Sequence, residues 1–167
     1  MSNSGFEVRT ARPTDLPQVA QLAGLMVRLH HEWDRHRFAI LHEPIEPGYE
    51  NWLGRELQNK KALVLVAASR QTKDKAKILG YAYARLEGRD WNRLLDSCGF
   101  LHDLVVAEKA RRRGVAGALL EGVIAWMAEH HAPRIILESA AANHVAQDFF
   151  RKRGFRATMI EMSREIE

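Results

Sequence analysis

Between Phe100 and Trp126 the chain changes from one repeat to another across a short basic turn, and this junction limits its fold more than any other segment. Phe100-Leu101-His102-Asp103-Leu104-Val105-Val106 reads as a mostly buried strand, whereas Val115, Leu119, Val123 and Trp126 recur at helical spacing. A strand therefore feeds a helix N-terminus through Ala107 to Arg113. Small residues at Gly114, Ala116 and Gly117 let a ligand approach the first-turn backbone. Its N–H groups lack intrahelical partners and sit at the positive end of the helix dipole, which suits phosphate.

Two linked segments carry a resemblance. Leu104-Val105-Val106, then Arg111-Arg112-Arg113-Gly114-Val115-Ala116, match a strand ending in Leu-x-Val followed by Arg or Gln, two spacers, Gly, one spacer, and Gly or Ala. Downstream, Ile135-Ile136-Leu137-Glu138 ends near a Glu, Asn143 opens a short helix, and Ala146, Phe149, Gly154 and Phe155 follow at fixed offsets. Together they resemble the GNAT N-acetyltransferase superfamily, over nearly the whole chain, from about Phe6 to Glu165.

The resemblance implies a mixed α/β fold: a central twisted sheet of six to seven strands, flanked by about four helices, with two parallel strands splayed to hold acyl-CoA. It implies acetyl-CoA as cosubstrate and an amine acceptor that attacks the thioester directly, with no metal. Backbone N–H groups from Arg112 through Gly117 would take the pyrophosphate, with Val115 and Ala116 in that turn and Arg111 or Arg113 adding charge. The backbone at Leu104, Val105 and Val106 would hold the acetyl carbonyl and pantetheine. Asn143 would contact the pantetheine arm or simply cap its helix, and Phe149 and Phe150 would pack in the core with an edge on the cofactor.

Deprotonating the acceptor is the main acid–base demand. An alkylamine is only about one part in a thousand neutral near pH 7.4, a penalty of roughly 4 kcal/mol. Glu138 is the first candidate base, because it lies five residues before Asn143, where ribosomal-protein N-terminal acetyltransferases of this superfamily carry theirs. A carboxylate at a strand end also pairs readily with an arginine. His102 and Asp103 are the other candidates, and strand alternation puts them on opposite faces, so that at most one points into the cleft. Phe150 stands where the superfamily often has a Tyr general acid, and Glu108 where relatives often have Pro. A thiolate of pKa about 8.5 costs only roughly 1–2 kcal/mol to release unprotonated, and water, Tyr81 or Tyr83 can supply the proton.

Size and charge agree with this reading. At 167 residues and 46% apolar the chain suits one domain spanning 1–167, with its core over about 6–165. A net charge of +4 suits an anionic ligand, and the arginine-rich runs 111–113 and 151–153 fall one at each proposed cofactor segment. Those runs lack interleaved aromatics, which argues against nucleic acid as a partner. No apolar run approaches the roughly 20 residues of a membrane helix and the first five residues are polar, so a cytoplasmic protein without membrane association is expected. Dimers are common among similar proteins, which makes a homodimer an expectation from the resemblance alone.

Along the rest of the chain, Phe6 to Ala11 reads as a strand. Thr14 or Asp15 then caps a helix with Leu16, Val19, Leu22, Leu25, Met26 and Leu29 on its apolar face. His30 to Pro47 is irregular, and Tyr49, Trp52, Leu53, Glu56 and Leu57 suggest a second helix. Ala62 to Ser69 and Ile78 to Leu86 fit a hairpin around the polar 71–77, and Phe155 to Glu165 alternates like a closing strand. Trp33, His36, Glu43, Glu46 and Tyr49 are candidates for an acceptor pocket. The spacing of five from His31 to His36, about 140° around a helix, does not align zinc ligands, and Cys98 has no base beside it. The alternative function is a non-catalytic acyl-CoA-binding sensor, which the Phe at 150 keeps open.

Overall fold

The computed structural model describes residues 5–38, 44–70 and 76–166. Strand β1 (Phe6–Thr10) is followed by a 3-10 turn and helices α1 (Leu16–Trp33) and α2 (Ile45–Glu56). The hairpin β2 (Ala62–Ser69) and β3 (Ile78–Glu87) leads to β4 (Cys98–Val106), α3 (Val115–Glu129), β5 (Ile135–Leu137) and α4 (His144–Arg151). The strands form one sheet in chain order, antiparallel throughout except that β4 and β5 run parallel. The mixed α/β architecture is as the sequence implies, with five strands among the described residues rather than six or seven.

Period-2 alternation in β2 builds a core on each face of the sheet. Leu63, Leu65 and Ala67 join Leu119, Val123 and Met127 of α3 on one side. Val64, Val66 and Ala68 join Val19, Leu22 and Leu53 of α1 and α2 on the other. A strand covered on both faces reads as a continuous apolar run, which is why residues 62–68 carry no polar residue.

Three expectations need correction. α1 continues through His30 to Trp33 and α2 starts at Ile45, so both ends of the segment read as irregular are helical. His30 and His31 each place Nδ1 on a backbone carbonyl, of Met26 and Phe38. The apolar face of α1 is also rotated: small Ala20, Ala23 and Gly24 are buried, while Leu25 and Leu29 are exposed. Finally, Phe155 to Glu165 forms no strand. From Arg156 onward its residues are exposed, and Arg37 forks onto Glu161. Alternation suits a strand, but pairing needs an edge of matching length, and β5 offers three residues. No helix among the described residues is long and apolar enough to cross a membrane.

Candidate active site

The turn into α3 has the open geometry its sequence suggests. After the short 3-10 turn Glu108–Ala110, Arg112 (φ 59°) and Gly114 (φ 82°) adopt left-handed conformations, and no side chain caps the helix. A Cβ on Gly114 would meet nothing within 4 Å, so its glycine answers to backbone conformation and not to crowding. The first helical bond runs from Ala118 N to Gly114 O, which leaves the preceding amides outside the ladder. Arg111, Arg112 and Arg113 are all exposed around this terminus, while Val115 anchors it in the core.

A further arginine arrives from the turn after α4. Arg153 lies over the Phe149 ring at 3.7 Å from its centroid, and its Nη2 is 3.2 Å from where a Gly117 Cβ would be. One residue of the second basic run therefore lies at the first turn of α3, the helix that the first run precedes. Arg153 was not singled out from sequence, although its basic run was the available signal. Phe150 is buried, edge-to-face with Phe149 and Phe155, and Asn143 Oδ1 accepts the Ala146 N–H as the cap of α4.

β4 and β5 separate where this site begins. They pair at only three positions, Gly99 to Leu101 with Ile135 to Leu137. β4 runs on through Leu104, Val105 and Val106, paired there with β3 on its other edge. Beyond Leu101 this edge of β4 has no strand partner among the described residues, beside the residues expected to hold a pantetheine arm.

Just past the last β4–β5 pair, a β-bulge in the β3–β4 pairing changes the expected geometry. Tyr83 pairs with Asp103 and Ala84 with Leu101, so His102 is an extra residue in β4. Both His102 and Asp103 consequently face the α1–α2 side, contrary to simple alternation. His102 stacks on Phe100 and Tyr83, with ring centroids 4.5 and 5.2 Å away, and its Nε2 is 3.3 Å from Glu87 Oε1. Asp103 is 8% exposed and accepts a 2.9 Å hydrogen bond from Tyr81 Oη.

The electrostatics separate the three candidate bases. Burial raises the Asp103 carboxyl to about 6, partly offset by the Tyr81 hydrogen bond, which favours the anion. Burial lowers the His102 pKa, opposed by Glu87, so this imidazole is neutral at physiological pH. Glu138 is exposed just beyond β5 and forms a 2.7 Å ion pair with Arg93. Tyr81 and Tyr83 hold their protons firmly because burial raises both phenols, and Tyr83 donates to Glu56 at 2.8 Å.

Tyr49, from the proposed acceptor set, does reach this region: it meets Trp52 edge-on, and Trp52 meets Tyr83. Glu46 instead pairs with Arg28, His36 sits in a turn with Asp34, and Glu43 lies outside the described residues. Glu56, Arg85 and Glu87 were not singled out as site residues. Their placement depends on α2 packing across β3, which no local pattern announces.

The profile of the Acetyltransferase (GNAT) family matches residues 26–155. The chain belongs to this family. Among solved structures, this GNAT domain is similar to a mutant of the BH1408 protein from Bacillus halodurans, at 21% identity, with 96% of this chain and 99% of that one covered and a TM-score of 0.78. It is also similar to aminoglycoside N-acetyltransferase AAC(6')-Iy in complex with CoA, at 18% identity, 96% and 94% coverage and a TM-score of 0.75. Glucosamine-6-phosphate N-acetyltransferase from Arabidopsis thaliana follows at 15% identity, 97% and 99% coverage and 0.68. At these identities the likeness shows the GNAT fold. No curated protein sequence matches the chain significantly.

Proposed function

We propose that this GNAT protein is an acetyl-CoA-dependent N-acetyltransferase that acts on a primary amine of a small molecule or peptide in a ternary complex. The observation that carries the reading is the bulge, which turns Asp103 and His102 to one face just where β5 stops pairing with β4. The residues suit the cofactor. Uncapped amides and Arg111 to Arg113 answer to a diphosphate, Arg153 adds charge beside Gly117, and the β4 edge at Leu104 to Val106 has no β5 partner among the described residues, which leaves it open to amide pairing.

Acetyl-CoA supplies the activated acetyl thioester, whose C–S bond breaks as the amine nitrogen forms the new C–N bond. Asp103, ionised above about pH 6, accepts the proton that the ammonium must lose. Tyr81 holds the carboxylate in place through its hydrogen bond. His102, neutral and nearer solvent, relays protons outward toward Glu87. Tyr49 and Trp52, half-buried beside buried Tyr83, give a cationic acceptor a favourable aromatic surface. Glu138 contributes through its charge and its Arg93 pair rather than as the primary base.

A sensor that binds acyl-CoA without turning it over remains the second reading, because buried Phe150 offers no hydroxyl to a leaving thiolate. Free-thiol release separates the two. With acetyl-CoA and a panel of aminoglycosides, polyamines and peptides, the enzyme reading expects release with at least one amine. Binding without turnover on any of them would leave the sensor.

A further inference from the structure

Tyr83, Arg85 and Glu87 alternate onto one face of β3, and the bulge in β4 turns His102 toward them. Phe100 and Tyr83 stack on the imidazole with 25° and 28° between ring planes, which fixes the plane of the ring. Glu87 fixes its rotation within that plane. The Oε1 atom lies 3.3 Å from His102 Nε2 and 3.5 Å from Arg85 Nε, so one carboxylate oxygen faces both. Arg85 Nε is in turn 3.7 Å from Glu56 Oε2, which accepts the Tyr83 hydroxyl at 2.8 Å. Because Tyr83 stacks back on His102, these five side chains close a circuit from α2 through β3 to β4.

The circuit decides which imidazole nitrogen carries the proton. A carboxylate accepts hydrogen bonds and donates none, so Nε2 holds the proton in the neutral ring and Nδ1 keeps its lone pair. Nδ1 has no hydrogen-bond partner among the described residues, and 34% of the His102 side chain is exposed. A proton-accepting nitrogen is therefore free on the residue before Asp103, on the same face of the sheet. Burial lowers the His102 pKa, Glu87 works hardest against it, and Arg85 and Glu138 add smaller effects of opposite sign.

We propose that Glu87 is a positioning residue for acetyl transfer: it holds His102 as the Nε2–H tautomer, so that Nδ1 takes up the proton leaving Asp103. This rests on the N-acetyltransferase reading. The proton that enters at Nδ1 departs to water on the exposed side, and Glu87 stabilises the imidazolium in between. Nitrogen NMR of the unliganded wild type should place the His102 proton on Nε2, whereas Glu87→Ala should give a mixture of tautomers and a lower His102 titration midpoint. In steady-state kinetics Glu87→Ala should lower kcat about 10-fold, the range for partners that orient a histidine, with KM for acetyl-CoA unchanged. Glu87→Gln, whose carbonyl still accepts from Nε2–H, should stay within about 3-fold of wild type. A wild-type proton on Nδ1, or a Glu87→Ala variant with unchanged tautomer and kcat, would overturn the assignment, and the wild-type spectrum decides even where a variant misfolds. No turnover of any amine by the wild type would instead overturn the transferase reading, and with it the role of Glu87, while leaving the spectra as expected.

Discussion

Tyr81 Oη donates to Asp103 Oδ2 across 2.9 Å, joining β3 to the residue just past the β4 bulge. The bond keeps a buried carboxylate polarised toward one oxygen while burial raises its pKa from 3.8 to about 6. Asp103→Asn should lower kcat/KM at least about 100-fold, in the range of a lost general base, and abolish a rise of kcat/KM with pH near 6. Glu138→Gln, at an exposed ion pair, should cost less than about 5-fold. Steady-state pH profiles of both variants check the assignment, and the reverse ranking would move the base to Glu138.

The same carboxyl makes a stability prediction with a definite sign. Its folded-state pKa is raised, so folding favours the protonated form; that contribution is complete below 3.8 and lost as pH rises through about 6. Thermal melts should show Asp103→Asn gaining Tm relative to wild type between pH 4 and pH 7. A constant difference over that range would show that Asp103 is not desolvated.

Gly114→Asp should weaken CoA binding by at least about 10-fold. It adds a carboxylate beside the amides that face a diphosphate, and it puts a side chain where φ is 82°. Calorimetry reads the affinity, and a retained Kd would place the phosphates elsewhere.

Phe150→Tyr should raise kcat by about 2- to 5-fold if protonation of the leaving thiolate limits turnover, since roughly 1–2 kcal/mol is at stake. The effect should be larger at low amine pKa and absent from KM. An unchanged kcat would show that water suffices.

Asp15 carries structural weight instead. Its carboxylate takes both Arg9 guanidinium nitrogens, at 2.6 and 3.0 Å, and the Arg12 amide at 2.7 Å. Burial works against the anion, but these bonds outweigh it and lower the pKa. The stabilisation is thus present above 3.8 and lost as pH falls through the lower folded value. Asp15→Ala should cost about 3 kcal/mol at pH 7 in denaturant unfolding, with the difference shrinking in acid.

How much of this was legible in the chain varied with the range of the cause. The strand–turn–helix at 104–120 was, because hydrophobic period, glycine placement and basic charge act within a few residues. The α1 face departs from its apolar pattern at Leu25 and Leu29, since small Ala20, Ala23 and Gly24 are the residues buried by close approach of its packing partners. Arg153 carried a basic-run signal, but its place against Gly117 depends on how α4 docks.

By itself the sequence determined the alternating elements, the uncapped glycine turn and the family to which the chain belongs, because each is written in local spacing. Tertiary structure decided which carboxylate is buried and which is paired in solvent. One extra residue at His102 turns Asp103 to the face of its neighbour, and Arg93 claims Glu138 from 45 positions away. Those outcomes depend on contacts between segments distant in the chain, and burial, which sets proton affinity, exists only once those segments have packed.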